Sequence, residues 1–129
     1  KFWNEISGIV TFLDQEANKI WRISVPPSQG VELLVKLKEK LKCDAFFDWG
    51  GGLIWLSESN ETKYSEKIIR EAMSEQSGHA TLFRASDKDR ESFDVFNPQP
   101  NALMNITRKI KKNFDPHGVL NPERMYEGV

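Results

Sequence analysis

Three consecutive glycines, Gly50-Gly51-Gly52, separate two short runs rich in aromatic and branched residues, Asp44–Trp49 and Leu53–Ser57. Glycine has no Cβ and enters positive φ at little steric cost, so a glycine run between two such segments predicts a tight reversal. A helix cannot run through it, because each glycine costs about 1 kcal/mol against alanine there. The chain is thereby committed to an antiparallel hairpin near its middle, and the rest must pack around it.

Before the hairpin, Ile20-Trp21-Arg22-Ile23-Ser24-Val25 alternates and meets Pro26-Pro27, which reads as a strand with a hard stop. Ser28 is positioned to cap a helix whose apolar face is Leu33, Leu34, Leu37 and Leu41, with Lys36, Lys38, Glu39, Lys40 and Lys42 toward water. After the hairpin, Asn60–Gln76 reads as an amphipathic helix with Tyr64, Ile68, Ala72 and Met73 inward, ended by Ser77-Gly78. His79–Ala85 is a fourth strand. The order strand, helix, strand, strand, helix, strand predicts an α+β, ferredoxin-like fold: a four-stranded antiparallel sheet with two helices on one face.

Flanking segments complete the chain. Phe2, Ile6, Ile9 and Leu13 recur at helical spacing over residues 2–13, and Asp14 to Lys19 reads as a polar loop. Residues 86–100 are a polar connection, and 101–114 a last helix striped by Leu103, Ile106, Ile110 and Phe114. The tail from Phe114 to Val129 is stiffened by Pro116, Gly118 and Pro122. Pro116 keeps Asp115 out of the helical region, Gly118 allows a positive φ, and Pro122 favours an extended Asn121. Such a tail is expected to lie on a surface, with residues 119–129 loosely held or borrowing a neighbour when that surface is missing.

At 129 residues the whole chain reads as one domain. Its 18 basic and 19 acidic side chains nearly cancel, against the basic excess of a nucleic-acid or membrane-surface protein. The single cysteine, Cys43, excludes an internal disulfide and fits a cytoplasmic home. No segment is long and apolar enough to span a membrane. The first residue is Lys1 rather than Met, which suggests a fragment or processed product.

Two helices cover one face of such a sheet, yet these strands carry large apolar residues at both parities: Phe46 beside Phe47, Ile54 beside Trp55, Leu82 beside Phe83. Either segments 1–13 and 101–114 cover the second face, or another domain does.

Candidate chemistry is sparse. The glycine run leads into a strand, not a helix N-terminus, and lacks a Lys-Ser/Thr pair, so it is a turn and not a phosphate loop. His79 has no ligand-spaced partner and reads as a partly buried, hydrogen-bonded histidine; His117 reads as a solvated turn residue. Asp44 and Asp48 share a strand face but lie roughly 13 Å apart by strand rise, too far to share a proton. Arg22 and Arg84 project from strands, to pair with Asp48 or to bind an anionic partner. Arg108-Lys109-Ile110-Lys111-Lys112 forms a solvated helix face. RNA recognition on the sheet lacks the basic–glycine–aromatic strand pattern, and acylphosphatase-like hydrolysis lacks an amide cradle. The residues by themselves describe a domain without catalytic, metal or nucleotide machinery of its own.

Four segments in order carry a resemblance: Trp21-Arg22-Ile23-Ser24-Val25-Pro26-Pro27, Phe47-Asp48-Trp49-Gly50-Gly51, Gly78-His79-Ala80-Thr81-Leu82-Phe83-Arg84, and the run from Phe114 to Pro122. Together they resemble the C-terminal part of the FAD-binding subunits of bacterial glycolate oxidase, FAD-linked oxidases of the vanillyl-alcohol oxidase type. The resemblance implies a cap, or substrate-side, domain whose FAD-binding domain lies N-terminal and outside this chain. It implies a complex with a second flavoprotein subunit and an iron–sulfur subunit, cytoplasmic or at the inner face of the plasma membrane, that oxidises glycolate to glyoxylate. FAD then belongs to the parent and not to this fragment, which by itself is expected to be inactive. Arg22, Trp49, His79 and Arg84 match sheet positions implied to face the flavin domain or substrate; Asn121 and Arg124 match tail positions implied to approach the cofactor. The family tail usually reads Asn-Pro-Gly-Arg, and Glu123 stands here in place of that glycine. The competing reading is a stand-alone ferredoxin-like binding or regulatory module.

Overall fold

The computed structural model describes residues 18–59, 62, 64–74 and 76–129; the helix expected over 2–13 lies outside them. By its internal contacts the chain divides into two compact units, residues 1–94 and 95–129.

The first unit holds the sheet. Strand β1 is Asn18–Ser24, followed by helix α1 (Pro27–Lys40), strands β2 (Cys43–Asp48) and β3 (Leu53–Ser59), helix α2 (Ser65–Met73) and strand β4 (His79–Arg84). The sheet order is β2-β3-β1-β4, and every neighbouring pair is antiparallel. This is the α+β arrangement expected, consistent with a ferredoxin-like fold.

Register assigns the two faces. Trp21 pairs with Leu56 and Leu82, and Ile23 with Ile54 and Ala80. These residues, with Leu33 and Leu37 of α1 and Ile69 of α2, are almost wholly buried and form the helix-facing core. Each such side chain contributes about 1.5–3 kcal/mol by leaving water. The other face carries Ile20, Leu53 and Trp55, all buried, with Phe46 packed against them. Both parities are therefore used, as the adjacent aromatics in the sequence require.

Several local expectations change. Helix α1 starts at Pro27 with Pro26 as its cap and no capping side chain; Ser28 lies inside the first turn. Proline at the first helical position already has the helical φ, and its missing N–H would have had no partner there. Helix α2 starts at Ser65, so Tyr64 precedes it and is exposed rather than inward. Residues 87–92 are a short helix, α3 (Asp87–Ser92), where a connection was expected. Its cap is Ser86, whose hydroxyl accepts from Asp89 N at 3.2 Å.

Lys19, expected in a loop, is fully buried within β1, where its ammonium donates to Thr62 O at 2.9 Å and lies 5.4 Å from the Phe93 ring centre. Near it, buried Glu58 accepts from Trp21 Nε1 at 2.8 Å. Burial pushes the Glu58 carboxyl above its ordinary value against the pull of its hydrogen bonds and of Lys19.

The second unit contains helix α4 (Asn101–Phe114), whose Leu103, Ile106, Ile110 and Phe114 stripe is exposed. Arg108, Lys109 and Lys112 are solvated as expected, but Lys111 is half buried and engaged with Asp115. Among the described residues, no helix is long and apolar enough to cross a membrane.

Candidate functional site

The hairpin turn is built by three successive positive-φ residues, Trp49 (φ 51°), Gly50 (62°) and Gly51 (97°). For the two glycines this is inexpensive. For tryptophan the left-handed region is an outlier that costs roughly 1–2 kcal/mol. Asp48 Oδ1 accepts from Trp49 N at 2.7 Å and holds the strained residue in place. Behind the turn, Val25 N donates to Gly52 O at 3.1 Å. Gly30 of α1 approaches so closely that a Cβ there would stand 2.7 Å from Gly51 O. The turn is thus pinned from β1 and α1 and presents Trp49 outward, 67% exposed.

The Trp49 ring meets Arg22. The Arg22 guanidinium carbon lies 5.2 Å from the ring centre, within cation–π range. Arg22 is half buried on the second face of the sheet, paired in register with Trp55 on β3 and Thr81 on β4. Among the described residues it has no carboxylate or carbonyl partner. The Arg22–Asp48 ion pair that the sequence allowed is not made: Asp48 Oδ1 accepts from Trp49 N, and Arg22 meets the Trp49 ring instead.

His79 opens β4 opposite Ser24, one diagonal step from Arg22 on the same face. It is exposed, not the partly buried histidine expected, because it sits at the strand's open end. Arg84 closes the same strand opposite Ile20, beyond a bulge at which Phe83 and Arg84 together face one residue of β1. The Phe83 ring packs edge-on against Trp55 at 5.1 Å. The structure therefore gathers Arg22, Trp49 and His79 at the hairpin end of the second face and leaves Arg84 at the far end.

Asn121 and Arg124 belong to the second unit. Both are exposed on a turn in which Arg124 N donates to Asn121 O at 3.4 Å. Asn121 has φ 46°, left-handed and not extended as expected; Pro122 disfavours the right-handed helical region for Asn121, and asparagine tolerates the left-handed one. Glu123, in the place of the family glycine, takes φ 57° itself. The backbone keeps the conformation a glycine would favour.

The tail is not loosely held. Asp115 organises it: its carboxylate accepts from Val119 N at 3.0 Å and Leu120 N at 2.8 Å, and pairs with Lys111 at 2.9 Å. The Lys111 hydrogen bond, with these amides, holds the Asp115 carboxyl down at about 2. Lys111 also donates to Leu120 O. Gly118 has the positive φ expected of it (65°). Farther on, Glu123 N donates to Val129 O at 2.8 Å, and Tyr126 donates its hydroxyl to Asn97 O at 3.1 Å. The sequence reading missed Asp115; the order Asp-Pro-x-Gly, with an aspartate able to bond amides just downstream, was its signal. A cavity of about 450 Å³ lies between α4 and this tail, lined by Arg108, Lys112 and Glu123 among others; neither Asn121 nor Arg124 lines it.

The described residues form no flavin cradle. The glycine run closes a hairpin and feeds a strand, so no helix N-terminus faces an anion there, and Asn121 and Arg124 are exposed on a turn. Among them, no three histidine, cysteine or carboxylate side chains are grouped to hold a metal ion.

No family model matches the chain, and no solved structure matches it. Over 126 residues, 98% of its length, the chain is 31% identical to the glycolate oxidase subunit GlcE of Escherichia coli (strain K12). It spans 31% of that protein's own length. The similarity runs through both units and supports a relationship between this chain and a glycolate oxidase subunit.

Proposed function

We propose that the chain is the C-terminal, substrate-side domain of an FAD-linked glycolate oxidase subunit, with the FAD-binding domain N-terminal to it in the parent. The observation that carries this reading is the similarity to GlcE over nearly the whole chain. Its physical complement is the hairpin end of the sheet, where Arg22, Trp49 and His79 come together. In the parent, FAD supplies the redox step of oxidising a 2-hydroxy acid to a 2-oxo acid. This domain's residues bind and orient the acid and exclude water from it. Asn121 and Arg124 are proposed to approach the flavin domain from the tail. The proposed assembly includes a second flavoprotein subunit and an iron–sulfur subunit.

The test compares two preparations. The complete polypeptide is expected to hold FAD and, with its partner subunits, to reduce an electron acceptor with glycolate. The 129-residue chain alone is expected to show no bound flavin absorbance after FAD addition and gel filtration. Stoichiometric FAD retention by the 129-residue chain alone refutes the assignment.

A further inference from the structure

The sheet carries two arginine–tryptophan pairs, and they differ in one respect. On the helix-facing side, Arg70 lies 5.7 Å from the Trp21 ring centre, donates to Ala80 O at 2.7 Å and to Asp94 O at 2.9 Å, and stands 3.8 Å from the Glu66 carboxylate. That pair is structural. On the other side, Arg22 lies 5.2 Å from the Trp49 ring centre with no acceptor among the described residues.

A guanidinium has five N–H donors and no way to shed its charge, and partial burial makes leaving it unpaired costly. The tryptophan that covers it is equally unrewarded. Trp49 is 67% exposed and held at φ 51°, so it gains little packing for its backbone strain. Strain of this kind persists where a side chain must be held for a purpose. Here the turn, pinned by Asp48, Val25 and Gly30, holds the indole against Arg22.

We propose that Arg22, backed by Trp49, binds the carboxylate of a small 2-hydroxy acid. With the ring covering it from one side, the guanidinium can turn its N–H fork to a two-pronged carboxylate contact. Among the described residues, Arg22 is the one cation that the register places at this end, so it is the group that meets the carboxylate. The Thr81 hydroxyl, directly across the register from Arg22, and His79, one diagonal step away, are the polar groups placed for the acid's own hydroxyl. The identity of the acid rests on the glycolate oxidase reading; the carboxylate site rests on the geometry alone.

The experiment uses the complete polypeptide in its assembly, with glycolate as substrate and oxalate as a non-oxidisable carboxylate probe. Arg22→Gln is expected to raise KM for glycolate about 10- to 100-fold, the scale of losing a charge-assisted pair, with kcat changed by less than about 3-fold and flavin content unaltered. Oxalate affinity, measured by calorimetry, is expected to fall by the same factor. Arg22→Lys keeps the charge without the fork and should fall between; it also serves if the glutamine variant fails to fold. Unchanged KM and unchanged oxalate affinity in both variants overturn the proposal. If the unmodified protein does not oxidise glycolate, the functional reading fails, and the calorimetry still decides this site. Oxalate binding that depends on Arg22 supports it, and binding that is absent or indifferent to Arg22 overturns it.

Discussion

Replacing Glu123 by glycine should stabilise the tail, although it deletes a side chain and adds chain flexibility. Glu123 is exposed and held at φ 57°, where a residue with a Cβ is disfavoured by roughly 1–2 kcal/mol. Its amide donates to Val129 O at 2.8 Å, a bond that depends on backbone and not on side chain. Glycine relieves the left-handed penalty but loses about 0.5–1 kcal/mol through the greater freedom of the unfolded chain. The difference predicts a net gain of about 0.5–1 kcal/mol in the closing free energy of this turn. Glu123→Ala is the control: alanine removes the same carboxylate but keeps the Cβ, so it should leave the turn unimproved. Native-state hydrogen exchange at the residue 123 amide reads the effect directly, with slowing of about 2- to 5-fold expected for the glycine variant. Equal slowing in the alanine variant would place the cost in the carboxylate rather than the backbone. Faster exchange in the glycine variant would refute the argument from φ.

Three further outcomes follow from the packing and the charges. Gly78→Ala places a Cβ against Ser24 O of β1, backbone that cannot swing aside, and should cost about 1–3 kcal/mol, read as a lowered urea midpoint. The buried Glu58 carboxyl has a folded-state pKa above its ordinary value, so as pH rises from about 4.5 the unfolded chain releases this proton first and stability falls until the folded value is passed. Glu58→Gln should flatten that decline in a pH series of denaturant titrations, with the part owed to Glu66, also raised by burial, remaining. Asp115 works in the opposite sense: held down at about 2, it contributes stability above its ordinary value of 3.8 that is lost as pH falls through about 2. Asp115→Asn should accelerate exchange of the Val119 and Leu120 amides at neutral pH, and unchanged protection there would refute its role as the organiser of the tail.

The described residues of this chain put like side chains to different uses. Six of its ionisable groups fall into three sets. Lys19, Glu58 and Arg70 are engaged inside the helix-facing layer; Asp115 and Lys111 hold the tail; Arg22 lies over the Trp49 ring with no acceptor among the described residues. Position separates their uses, since Lys19 and Lys111, and Arg70 and Arg22, are the same residue types.

What the chain determined by itself is what short-range physics can enforce. Period-two alternation, the Pro26-Pro27 stop and the glycine run require the strand order and the hairpin, and the aromatic residues at both parities require both sheet faces to be used. The turn at Gly118 and the release of Asp115 from the helix follow likewise from proline and glycine stereochemistry. Contacts across long sequence gaps were decided only in three dimensions. Lys19 read as part of a polar loop, and Glu58 lay just past the strand expected over Leu53–Ser57; both are buried because register sets them opposite each other, with Glu58 in hydrogen-bond reach of Trp21, 37 residues away. His79 read as half buried, and is exposed because β4 begins at the open end of the sheet. Arg22 and Arg70 are chemically identical beside their tryptophans. The difference was settled by the carbonyls that the fold brings to Arg70, while among the described residues none reaches Arg22, a matter of packing that no local pattern encodes.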